Sequence, residues 1–152
     1  MTSNDERWMN AALDEARLAF DLGEIPVGAV VTLDDQRVGR GHNRRALDND
    51  PLAHAELIAL QDAARTLGTW RLDRATLYVT LEPCPMCAGA ITQARIQRLV
   101  FGAYEPKSGA VRSMYQICDD PRMPHRLAIT AGLCKATCSE LLTSFFTQRR
   151  KV

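Results

Sequence analysis

Apolar residues recur at helical spacing through the first twenty positions, at Trp8, Ala12, Ala16, Ala19 and Phe20. That periodicity predicts an amphipathic helix, with Ser3 and Glu6 as a capping box at its start and Gly23 as its stop. The pattern then shortens. Val27 to Val31 is a brief apolar strand, Asp34-Asp35 a turn, and Arg37 to Asn43 an antiparallel return. After the break Asn49-Asp50-Pro51, Leu57, Ile58, Leu60 and Ala64 mark a second helix, which runs from His54 to about Leu67 and stops at Gly68. Thr76 to Leu81 is the strongest strand signal, followed by a helix from Cys84 to about Ala94 and a strand at Arg98 to Phe101. Gly102 to Pro124 has no regular pattern, and a loop of that length in a small domain is often functional. Leu127 to Thr130 predicts a last strand. Ser139 to about Arg149 predicts a closing helix with Leu141, Leu142, Phe145 and Phe146 on its apolar side. Strands alternating with helices imply a central mixed sheet with helices on its faces, and sites in such folds form near the carboxyl ends of the strands.

Composition narrows the class. The chain has 152 residues, 46% of them hydrophobic, enough for one domain with a core of its own. There is no internal repeat, linker or low-complexity segment. The net charge of +1 sets up no global field for a polyanion, so any nucleic-acid contact must come from a local patch. The polar opening from Met1 to Arg7 is unlike a signal peptide, and no run approaches the ~20 apolar residues of a membrane span. The expectation is a cytoplasmic protein. In a reducing compartment, paired cysteines point to metal or redox chemistry rather than to structural disulfides.

The chemistry is concentrated in two segments, Ala53-His54-Ala55-Glu56-Leu57 and Glu82-Pro83-Cys84-Pro85-Met86-Cys87. His54, Cys84 and Cys87 are three ligands suited to zinc, since mixed sulfur and nitrogen favours it over harder ions. Three protein ligands leave a fourth position for water, the arrangement of a catalytic site. Glu56 is a carboxylate free to move protons beside it. Two thiolates offset the ion's charge and a neutral imidazole adds none, yet such waters still ionise near about pH 7. Both segments open helices. The positive helix end favours thiolate at Cys84, and first-turn side chains lean toward the N-terminus, so two adjacent helix starts can build the whole centre.

A bland reading stands beside each signal. A structural zinc needs a fourth protein ligand, which Cys118, Cys134 or Cys138 can supply, but it leaves Glu56 idle. A redox Cys-x-x-Cys has no use for His54. Cys134 and Cys138 share a helix face and are read as small buried side chains rather than a metal pair. His42 reads as a surface or supporting group, and Phe145 and Phe146 fit a buried stripe. Arg149-Arg150-Lys151 reads as a solvated terminus or a phosphate contact, as do Arg44 and Arg45. Asn43 can cap a turn or bind substrate.

His-x-Glu followed by Pro-Cys-x-x-Cys resembles the signature of the zinc nucleobase deaminases. The likeness extends over nearly the whole chain. Gly23 to Val30, Gly41-His42-Asn43, Gly68 to Leu72, Ala75 to Ala90, Val100 to Ala103 and Leu141 to Arg150 are similar to the bacterial tRNA-specific adenosine deaminases, within the zinc-dependent cytidine/deoxycytidylate deaminase superfamily. The resemblance implies a three-layer α/β/α cytidine-deaminase-like fold with a central mixed five-stranded sheet, as a single deaminase domain over residues 1–152. It implies hydrolytic conversion of adenosine to inosine at the wobble position of a tRNA anticodon loop, one zinc per subunit and a homodimer, for which apolar faces on the Cys84 helix would suit.

Carried over by position, His54, Cys84 and Cys87 hold zinc and Glu56 shuttles protons. Asn43 bonds the flipped nucleoside. Lys107, Ser108, His125, Arg126, Phe145 and Arg149 fall in segments lining the anticodon-loop groove, Phe145 as a stacking platform for an unpaired base. His125 reads equally as a simple loop histidine. The chain departs from the family pattern at Glu105, where Asp is usual, at Pro106 after it, and at Pro124, where Asn is common. These substitutions lie in RNA-reading loops, so they bear on substrate detail rather than on the metal chemistry. The rival readings are a deaminase of free guanine, cytosine or nucleosides, which has the same signature, and a zinc-stabilised RNA-binding partner without catalysis.

Overall fold

The computed structural model describes residues 3–150, the side chains of Ser3 and Arg150 excepted. The Ser3 half of the capping box, Arg150's side chain and Lys151 therefore lie outside the described residues. The elements are α1 (Ser3–Asp21), β1 (Gly28–Leu33), β2 (Gln36–His42), α2 (Ala55–Leu67), β3 (Thr76–Leu81), α3 (Pro85–Gln93), β4 (Arg98–Ala103), β5 (Ala128–Ala131) and α4 (Lys135–Arg150). The strands form one five-stranded mixed sheet in the order β2-β1-β3-β4-β5. β1 runs antiparallel to β2 and β3, while β3, β4 and β5 are parallel.

Strand alternation divides the core in two. Ala29, Val31, Leu77, Val79, Leu99 and Phe101 face α2 and α3 through Ala55, Ala59, Ala63, Ala88 and Ile91. Val30, Tyr78 and Val100 face the opposite layer, Trp8, Met9, Ala12 and Leu13 of α1 and Cys138 of α4. The result is the three-layer α/β/α arrangement. Truncating a fully buried side chain such as Leu99 would cost about 2–5 kcal/mol.

Close approach of α2 to the sheet depends on glycine. A Cβ on Gly39 would lie 2.4 Å from the Ala59 carbonyl oxygen, and one on Gly41 would lie 2.7 Å from that of Ala55. The β1–β2 turn has positive φ at both Asp34 (51°) and Asp35 (59°), the backbone of a type I′ hairpin. The Asp35 carboxylate accepts hydrogen bonds from Asn4 Nδ2 (2.7 Å) and Trp8 Nε1 (3.1 Å), which fastens the turn to α1.

Two expectations need correcting. α4 begins at Lys135, a full turn before Ser139. It follows Cys134, which sits at φ 56°, and its opening residues Lys135, Ala136 and Thr137 are exposed, so no apolar periodicity marks the first turn. Phe146 does not join the apolar stripe: it is 43% exposed, whereas Phe145 is buried. The geometric reason is that the two are consecutive, about 100° apart around a helix. No helix among the described residues is long and apolar enough to cross a membrane.

Candidate active site

The carboxyl ends of β3 and β4 meet the start of α2 and the start of α3 at one cleft of about 660 Å³. Each helix opens on a ligand residue. His54 is the N-cap of α2 and Cys84 the N-cap of α3, both in extended backbone, and Pro85 follows at the first helical position, where its missing N–H costs nothing. Neither N-cap residue makes a side-chain cap hydrogen bond. Both are turned toward each other instead. His54 Nδ1 lies 3.8 Å from Cys84 Sγ and 3.5 Å from Cys87 Sγ. The three ligand atoms all lie within 4.8 Å of one another and could hold a metal ion.

No fourth His, Cys, Asp or Glu joins that cluster among the described residues. Cys118 is buried beneath α3, its thiol toward the Ala88 carbonyl, and Cys138 is buried against Gly102. Burial pushes both thiols up to about 12. All five cysteines are free.

Protons are unevenly shared in the cluster. The hydrogen bond from Cys87 lowers the Cys84 thiol to about 4, against the opposing effect of burial, and His54 adds to the lowering. The same hydrogen bond and burial drive Cys87 upward. His54 is raised by its bond to Cys84. Glu56, in the first turn of α2, is 4% exposed and lines the cleft. Burial raises its carboxyl to about 7, countered in part by its own backbone amide and by His54.

Asn43 stands at the end of β2 and also lines the cleft. Its Oδ1 accepts the Ala55 N–H at 3.0 Å, so it caps α2 from a neighbouring segment. Ser108, Phe145 and Arg149 line the same cleft. Phe145 is 6% exposed, with the edge of Phe20 at 5.7 Å between centroids and the Arg149 guanidinium 4.8 Å above its ring. Arg149 also donates to the Gly23 carbonyl. Lys107, His125 and Arg126 are not among the lining residues. Lys107 and Arg126 are exposed, and the His125 ring is tied by Nε2 to the Ile96 carbonyl at 2.8 Å. His42 faces the buried Glu15 of α1, 3.5 Å away.

Pattern alone does not single out two further carboxylates on the cleft, Glu24 and Glu82. Glu24 accepts the Leu47 N–H at 2.7 Å and so holds the segment after Asn43. Glu82 is 2% exposed and gathers the backbone of the loop that follows β4. Burial works to raise its carboxyl, but the Ser113 hydroxyl and the N–H groups of Arg112, Glu105 and Ser113 outweigh it and hold it below the usual carboxylate value. The only sign of either residue in the chain is an acid within an otherwise apolar stretch.

Comparison with known proteins gives a consistent picture. The sequence profile described as MafB19-like deaminase matches residues 3–150. The tRNA-specific adenosine deaminase of Haemophilus influenzae is 50% identical over 149 residues, covering 97% of this chain and 86% of the relative. That of Bacillus subtilis is 41% identical over 149 residues, covering 98% and 92%. A solved structure from studies of A-to-I editing by tRNA:A34 deaminases at the wobble position of transfer RNA superimposes with a TM-score of 0.85 at 44% identity, over 89% of this chain and 98% of that one.

Proposed function

Because the chain belongs to the MafB19-like deaminase family, we propose that it is a tRNA adenosine deaminase, converting adenosine to inosine at the wobble position of an anticodon loop by hydrolysis. The observation that carries the reading is the convergence of His54, Cys84 and Cys87 beside the buried Glu56 in a cleft wide enough for a nucleoside. The relatives named for this activity match nearly the whole chain.

The donor set fits zinc. At bond lengths of about 2.3 Å to sulfur and 2.0 Å to nitrogen, tetrahedral ligands lie roughly 3.5 Å apart for a sulfur–nitrogen pair. The separations from His54 Nδ1 are 3.5 and 3.8 Å. Bound there, zinc would supply a water acidic enough to attack near neutral pH. The rest falls to the chain. Glu56 takes the proton of the attacking water, delivers it to the ring nitrogen, and then serves the departing ammonia. Asn43 has its Oδ1 engaged by Ala55 and keeps its amide N–H groups for the base. A loop base costs less to extrude than a paired one. Lys107, Ser108, His125, Arg126, Phe145 and Arg149 are assigned to the groove for the anticodon loop, Ser108, Phe145 and Arg149 among them lining the cleft. The assembly is a homodimer in the cytoplasm, for which the half-buried Met86 and Gly89 of α3 would suit as an interface.

The deciding assay offers the purified protein an anticodon stem-loop with adenosine at the wobble position, beside free adenosine, guanine and cytidine. Inosine should form in the RNA alone. Ammonia from free guanine or cytidine, with the RNA unchanged, would replace the tRNA reading with that of a free-base deaminase.

A further inference from the structure

The loop after β4 is folded around one side chain. Glu82 Oε1 accepts the Glu105 N–H at 3.0 Å and the Ser113 hydroxyl. Its Oε2 accepts the N–H groups of Val111 (3.1 Å), Arg112 (2.7 Å) and Ser113 (2.9 Å). Gly109 closes the ring: a Cβ there would stand 2.4 Å from Glu82 Cδ and Oε1. The residue after Glu82 joins in, since the Pro83 carbonyl accepts the Ala110 N–H at 2.8 Å. The same loop presents Tyr104, Glu105 and Ser108 to the cleft. A segment without helix or strand is thereby fixed by charge-assisted hydrogen bonds.

Resting on the reading of this cleft as the RNA site, we propose that Glu82 is a positioning residue for substrate recognition: its carboxylate holds the 104–113 loop in the shape that receives the anticodon loop. Glu82 is not part of the metal-ligand cluster, and both of its carboxylate oxygens are taken up by the loop. It works by removing the ordering cost that binding RNA would otherwise carry. A glutamine in its place keeps the size of the side chain but sets an amide NH₂ against N–H donors. The consequence belongs to binding, which appears in KM, and not to the reacting atoms, which appear in kcat.

The test is steady-state deamination of the stem-loop by Glu82→Gln and Gly109→Ala beside the unaltered protein, with metal content measured for each. KM for RNA should rise about tenfold or more in both variants, with kcat changed less than KM and the metal retained. An unchanged KM, a kcat loss exceeding the KM change, or loss of metal would overturn the proposal, the last by making Glu82 a brace for Cys84. Should either variant not fold, Ser113→Ala removes only the hydroxyl donor, and its KM should rise about threefold; a KM equal to that of the unaltered protein overturns the proposal. If the unaltered protein itself leaves the RNA intact, it is the deaminase reading that fails.

Discussion

Glu56 is the residue on which the proposed chemistry turns. It is buried, two residues from His54, and not itself part of the ligand cluster. Glu56→Gln should therefore keep the bound metal while turnover falls by about 10²–10⁴-fold, read as kcat beside metal content. A fall in metal content matching the fall in kcat would instead make Glu56 a ligand. This residue and the three ligands are legible in the sequence because their partners are neighbours in short segments: His-x-Glu and Cys-x-x-Cys each sit in one helical turn. Glu82 is not legible in that way. Its donors, from Glu105 to Ser113, arrive 23 to 31 residues later, from a loop with no pattern. Asn43 shows the same limit. The choice between cap and substrate group was open in the sequence, and only the 3.0 Å approach of Ala55 N–H reveals the cap.

Helix starts carry the ligands, so anything that moves a helix moves the site. Gly39 and Gly41 both allow α2 to lie against β2, but Gly41 faces Ala55, beside His54, and Gly39 faces Ala59 and Ala63 further along. Alanine at either position should cost about 1–3 kcal/mol by overpacking. Gly41→Ala should in addition weaken metal affinity, measured by chelator competition, while Gly39→Ala should not. The β1–β2 hairpin has a pH signature. Hydrogen bonds from Asn4 and Trp8 hold the Asp35 carboxyl below its ordinary value of 3.8. A depressed carboxylate adds stability above its unfolded value and loses it as pH falls through the folded one. The melting temperature of Asp35→Asn should thus lie slightly below that of the unaltered protein near neutral pH, and the gap should close below about 3.8. Most elements could be read in the sequence, because strand alternation and helical periodicity are local signals. The start of α4 was hidden because an exposed first turn leaves no apolar trace.

At the scale of the molecule, the cluster that could hold a metal joins the two halves of the α2–α3 layer, for it draws on the start of each helix. Removing the ion with a chelator should abolish deamination and lower the melting temperature together, and zinc should restore both. A chelated protein that melts as before would mean the helices hold the site without the ion. The three-layer architecture was legible from the alternation of strands and helices, whereas the assignment of α1 and α4 to one face and α2 and α3 to the other was not. That division is decided by which side of each strand is buried, and strands covered on both faces are apolar throughout. The arrangement also puts the end of α4 and the start of α1 in unequal positions. Arg149, in the last turn of α4, clasps the Gly23 carbonyl just past the end of α1, at the edge of the cleft. The opening of α1 stands 19 residues back, ~28 Å along its axis. A fusion partner or affinity tag grafted after α4 would therefore crowd the mouth of the cleft, while one grafted ahead of α1 would leave it clear.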